Sequence, residues 1–93
     1  MHFVKSVTYV SEYKLHLSFE DRSVRLVDLE PHLDGEIFEP LKDVNYFKTV
    51  WVNPDLDTIV WDNGADMTPD FLYEIGKPVE EPALVTEGTA RPR

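Results

Sequence analysis

The chain has 93 residues, no cysteine and a formal charge of −9, which leaves room for one domain and excludes disulfides, thiolate nucleophiles and cysteine-ligated zinc. Its hydrophobic content of 42% and aromatic content of 12% are those of a chain that folds. The negative charge repels phosphate backbones and anionic membranes, and no apolar run reaches the roughly 18 residues that span a bilayer, so direct nucleic-acid or membrane binding is not expected.

Residues 3–29 predict three strands in a meander. Lys14-Leu15-His16-Leu17-Ser18-Phe19 alternates polar and apolar, which places Leu15, Leu17 and Phe19 on one face. Phe3 to Val10 precedes it as a first strand and Val24 to Leu29 comes after it as a third. The breaks at Ser11-Glu12-Tyr13 and Glu20-Asp21-Arg22-Ser23 are short enough for antiparallel hairpins.

Residues 30–43 connect the meander to the second half of the chain, with turns at Pro31 and Asp34-Gly35. A short helical turn is expected over residues 38–43, and Asp43 can cap a second one carrying Val44, Tyr46 and Phe47. Two β-branched runs, Thr49-Val50-Trp51-Val52 and Thr58-Ile59-Val60-Trp61, flank a turn-rich loop and predict a hairpin. Thr68-Pro69-Asp70 then opens a last helix with Phe71, Leu72 and Ile75 on its apolar face and Gly76 as its stop.

The fold class that results is α+β: a small, mainly antiparallel five-stranded sheet, built from a three-stranded meander plus a hairpin, with short helices on one face. Residues 1–76 form the domain. Residues 77–93 carry three prolines and no aromatic, and read as a disordered tail, with 79–85 as the part that could dock.

No constellation points to catalysis. Histidines at 2, 16 and 32 share no spacing, the four glycines are scattered, and Gly-x-Ser-x-Gly is absent. Asp55 and Asp57 sit on a hairpin loop, where paired carboxylates are solvated rather than held in the cleft that acid–base work requires. The chain therefore reads as a non-enzyme without cofactors.

One divalent-metal site can be drawn, from Asp62, Asn63 and Asp66, but it lacks calcium-loop spacing; the competing reading is that these side chains satisfy backbone N–H groups in a tight turn. Trp51 and Trp61 read as core, with Trp61 the one expected to be partly exposed because it ends its strand. Trp61, Asp66 and Tyr73 make the candidate interaction surface.

Several runs carry a resemblance. Phe19-Glu20-Asp21, Val27-Asp28-Leu29, Phe38-Glu39-Pro40-Leu41-Lys42-Asp43, Thr58-Ile59-Val60-Trp61, Asn63-Gly64-Ala65-Asp66 and Leu72-Tyr73 resemble the bacterial family called domain of unknown function 2442, over about residues 3–76. The resemblance implies a small α+β domain and no known activity, cofactor or catalytic residue. Some members of that family precede a helix-turn-helix domain, and many are encoded beside a second small protein. Arg22 departs from the family, which usually carries Gly there, so a looser turn is expected.

Two function classes emerge. The first is a cytoplasmic protein-interaction module, of a regulatory or antitoxin-like gene pair, whose partner is another protein and a basic one by charge complementarity. The second is a small-ligand or divalent-metal sensor; a hydrolase with an unrecognised site is a third and weaker one. A homodimer is compatible with each, since an exposed sheet edge invites pairing.

Overall fold

The computed structural model describes residues 1–79. Three antiparallel strands form the meander: β1 (Val4–Ser11), β2 (Lys14–Phe19) and β3 (Val24–Asp28). The alternation in β2 is obeyed, with Leu15, Leu17 and Phe19 buried and Lys14, His16 and Ser18 on the other face. Thr8 pairs with His16, and His16 with Leu26.

The second hairpin turn is tight rather than loose. The Phe19 carbonyl accepts from Arg22 N at 3.0 Å, Phe19 N donates to the Ser23 carbonyl at 3.0 Å, and Arg22 has φ +70°. That is a three-residue loop whose last residue is left-handed, a position that favours glycine. An L-residue there costs about 1–2 kcal/mol, and glycine returns about 0.5–1 kcal/mol of that to unfolded-state entropy. Arg22→Gly is therefore expected to raise the urea midpoint, by up to about 1 kcal/mol in stability; a lowered midpoint would show that the arginine side chain holds the turn.

From β3 the chain crosses the inner face of the sheet in two 3-10 turns, Glu30–His32 and Glu36–Lys42, and then a single helical turn, α1 (Val44–Phe47). Asp43 caps α1 as its sequence position predicts, accepting from Asn45 N at 3.0 Å. These pieces are too short to be stable alone. They persist because Leu33, Leu41 and Phe47 are buried in the core beside Leu15, Leu17 and Val27.

The predicted hairpin exists as β4 (Trp51–Asn53) and β5 (Thr58–Val60), paired in register Trp51 with Val60 and Asn53 with Thr58. It forms its own two-stranded sheet instead of extending the meander. β1 is irregular at both ends, with register shifts between Val4 and Ser6 and between Tyr9 and Ser11, so its outer edge cannot continue a regular ladder. Val4 N still finds a partner, the Asp57 carbonyl at 2.8 Å. Asp57 itself is left-handed at φ +56°, which an aspartate tolerates well.

The last helix, α2 (Pro69–Ile75), begins after Thr68 and buries Leu72. Beyond Gly76 the chain does not leave the domain at once. β6 (Lys77–Pro78) pairs with β3 as a fourth strand, and Val79 N donates to the Val24 carbonyl at 2.9 Å. Residues 77–79, placed in the tail by the boundary at residue 76, thus lie on the sheet, because the N–H and C=O groups on the open side of β3 take these partners. The remainder of the predicted tail, residues 80–93, lies outside the described residues. β1 is irregular at both ends and β6 is short and carries a proline, features that blunt a strand edge.

Candidate interaction surface

The two tryptophans exchange the places expected of them. Trp61 is only 2% exposed, and its indole N–H donates to the Phe47 carbonyl at 2.8 Å. Trp51 is 43% exposed. Trp51 pairs with Val60 and shares its face, the one opposite Val52 and Ile59; Val60 is buried there while Trp51 stays open to solvent. Trp61, just past β5, is drawn inward by the turn that comes after it. The candidate surface named through Trp61 is corrected accordingly, and Trp51 is the aromatic that solvent meets.

That turn is built by Asn63. Its Oδ1 accepts from Ala65 N at 3.0 Å, and its Nδ2 donates to the Ile37 carbonyl at 3.0 Å, which ties the turn to the 3-10 segment. Gly64, at φ +92°, permits the reversal in which Trp61 N bonds the Ala65 carbonyl and Gly64 N the Trp61 carbonyl. Asp62 Oδ1 accepts from the Trp51 indole at 3.1 Å, and Asp66 is exposed after a single bridge to Val60. Asp62 Oδ1 and both polar side-chain atoms of Asn63 are therefore engaged in holding a turn and a tryptophan. Among the described residues no group of His, Asp and Glu side chains assembles that could hold a metal ion.

Tyr73 is half-buried and not a free platform. The His2 ring stacks on it at 3.6 Å between centroids with planes 6° apart, and the Arg25 guanidinium carbon lies 3.7 Å from the same centroid. Two groups that close cannot share one face, so both faces of the phenol are covered. Its hydroxyl donates to Asp21 Oδ2 at 2.8 Å. The corner is completed by Glu20, which accepts from Phe3 N at 2.7 Å, and by Asp70, which accepts from His2 N at 2.6 Å.

This corner is acid-sensitive. Hydrogen bonds from the Ser23 hydroxyl and N–H, and then from Tyr73, hold the Asp21 carboxyl down to about 2. The Phe3 N–H, chiefly, lowers that of Glu20. A carboxyl depressed on folding adds stability above its unfolded value near 3.9 and loses it as pH falls toward the folded value. The stability gap between the native chain and Asp21→Asn is therefore expected to be constant above pH 5 and to close between about pH 4 and pH 2. Urea midpoints for both proteins across that range check this; a gap unchanged at pH 2 would remove Asp21 from the account.

What remains exposed at the other end is an apolar pair beside carboxylates. Ile37, 46% exposed, reaches its Cδ1 to within 4.0 Å of where a Gly64 Cβ would stand. Trp51 is fastened to Asp62, next along the chain from the Asn63 that grips the Ile37 carbonyl. Glu36, Asp62 and Asp66 are exposed around them. Two of the sequence runs that carried the family resemblance, residues 38–43 and 63–66, thus meet or adjoin here.

A family model described as "Protein of unknown function (DUF2442)" matches residues 4–78. The chain belongs to that family. Searches of curated proteins and of solved structures return no match. The matched span ends within β6, so the DUF2442 unit takes in the fourth strand that the sequence alone assigned to the tail. No helix among the described residues is long and apolar enough to cross a membrane. Sequence reasoning missed Trp51 as a surface residue and Ile37 altogether. The signal for Trp51 was period-two alternation around Val50 and Val52, both half-buried, which leaves Trp51 on the opposite face.

Proposed function

We propose that this DUF2442 chain is a protein-interaction module that docks a basic protein through Trp51 and Ile37. The observation that carries the reading is a tryptophan left 43% exposed and fixed by its indole N–H to an aspartate. Tryptophans of this kind anchor interfaces because they bring large area at small entropic cost. The −9 charge supplies the long-range part, attracting a basic partner and raising its association rate. A partner encoded beside it, in a regulatory or antitoxin-like pair, fits the gene arrangement common in the family.

Tagged full-length protein is expected to retain one stoichiometric basic partner from its own cell lysate at low salt and to release it at high salt. Trp51→Ala removes the anchor along with its cross-strand neighbour contact to Val60; with the fold checked by circular dichroism, affinity is expected to drop tenfold or more, the effect of losing a hot spot worth about 1.4 kcal/mol or above. Equal capture by native and Trp51→Ala protein would move the interface elsewhere. Capture indifferent to salt would remove the electrostatic account.

A further inference from the structure

The described residues hold fifteen Asp and Glu against seven Lys and Arg, yet one hollow reverses that balance. It measures about 180 Å³ and is lined by Lys14, Leu26, Asp28, His32, Ile75 and Lys77. Two lysines and a histidine face it against a single carboxylate, while Leu26 and Ile75 give it apolar wall. A larger hollow among the described residues, about 320 Å³, has Glu30 and Asp34 in its lining with one lysine, Lys42.

The strand register explains the collection. Lys14 stands opposite Asp28, and Leu26 opposite Lys77, so all four project from the face of the sheet turned away from the core. Directly opposed residues share a face and lie within side-chain reach of each other. The end of α2 brings Ile75 to the rim, and the 3-10 turn after β3 brings His32, held edge-on to Phe71 at 5.1 Å. Asp28 is turned toward its own chain, with Oδ1 accepting from Glu30 N at 3.1 Å. Lys14 already takes a carboxylate, Glu12, at 3.2 Å, but that pair is exposed and readily exchanged.

We propose that this hollow binds a small aliphatic carboxylate. The anionic head would lie between the Lys14 and Lys77 ammonium groups, with His32 as a further donor, and the hydrocarbon would cover Leu26 and Ile75. At about 30 Å³ for each water displaced, the space suits a chain of roughly four to six carbons. The site shares no residue with the Trp51 surface, so it stands whether or not that surface docks a protein.

The test is an amide chemical-shift titration of the full chain with sodium hexanoate at low ionic strength, beside 1-hexanol and hexylammonium. Hexanoate is expected to give saturable shifts centred on Leu26, His32, Ile75 and Lys77, with a Kd on the order of 1 mM for a ligand of this size. Hexanol and hexylammonium should bind at least fivefold more weakly. Lys14→Gln with Lys77→Gln, both on the surface and checked for an intact spectrum, should weaken hexanoate at least fivefold and leave hexanol unchanged. Absence of saturable shifts, hexanol binding as tightly as hexanoate, preference for the ammonium, or a double variant that binds hexanoate like the native chain would each overturn the proposal.

Discussion

Trp61→Ala is expected to cost the protein about 3–5 kcal/mol, a large share of its stability. The side chain is 2% exposed and is the largest in the core. Truncating a buried tryptophan costs about 3–5 kcal/mol, and a chain of this length holds on the order of 5–14 kcal/mol in total. The indole also does more than fill volume. Its N–H donates to the Phe47 carbonyl at 2.8 Å, and its ring lies 5.7 Å from that of Phe47, which in turn packs edge-on against Tyr13 at 5.3 Å. α1 has four residues, and Phe47 is its one buried side chain. Removing the indole therefore takes one of two donors from the Phe47 carbonyl, which keeps Val50 N at 3.3 Å, and loosens the main grip on a helical turn that cannot stand alone.

Trp61→Phe separates those two effects. It keeps most of the ring and loses the donor, so a cost of about 0.5–1.5 kcal/mol is expected for the one hydrogen bond lost, the Phe47 carbonyl keeping Val50 N at 3.3 Å. Urea denaturation followed by circular dichroism measures both variants. Trp51→Phe serves as the optical control: with Trp61 as the sole indole, native emission should be blue-shifted and move red on unfolding. An alanine variant that stays folded with under about 1 kcal/mol lost would show that the core closes around the gap.

How far the sequence led depends on which physical signal each element carries. β2 was fully legible because its alternation has the period of a strand, and Leu15, Leu17 and Phe19 are buried as predicted. α1 was legible from its cap, since Asp43 needs only its own neighbours to bond Asn45 N. The two tryptophans were misassigned because exposure was judged from strand position. What decides exposure is the turn at residues 61–65, closed by Asn63 and Gly64, which folds Trp61 inward. β6 was missed because Lys77-Pro78 has no strand signature of its own; it is strand only because β3 offers it partners. The Trp51–Ile37 surface was invisible for a similar reason. Its residues are 14 apart in sequence, and the Asn63 bond to the Ile37 carbonyl is what a reading of either run by itself does not reveal.

Gly76 gives the sharpest case in which the right residue was read for the wrong reason. As a helix stop it should be left-handed, the conformation glycine supplies at helix ends. It is extended instead, at φ −73° and ψ 148°, a backbone any residue adopts. What requires glycine is space. A β-carbon there would stand 2.9 Å from Arg25 Cβ, 3.0 Å from the Leu72 carbonyl oxygen and 3.1 Å from Val27 Cγ2. None of these is the free end of a flexible chain. Leu72 O is bonded to Gly76 N at 3.0 Å, and Arg25 is fixed by its own bond to the Gly76 carbonyl at 3.1 Å and by its stacking on Tyr73. Gly76→Ala is therefore expected to destabilise, by about 1–3 kcal/mol of strain less the 0.4–1 kcal/mol that alanine gains by restricting the unfolded chain. A small domain should show this as a fall in Tm of several degrees, about 4–8 °C for each kcal/mol. The strain should also reach the ladder, because Arg25 pairs with Pro78: protection of the Val79 amide, which bonds the Val24 carbonyl, should fall more than that of β2. A neutral or stabilising Gly76→Ala would mean that the close packing of α2 on β3 is wrong, since the backbone angles by themselves favour alanine.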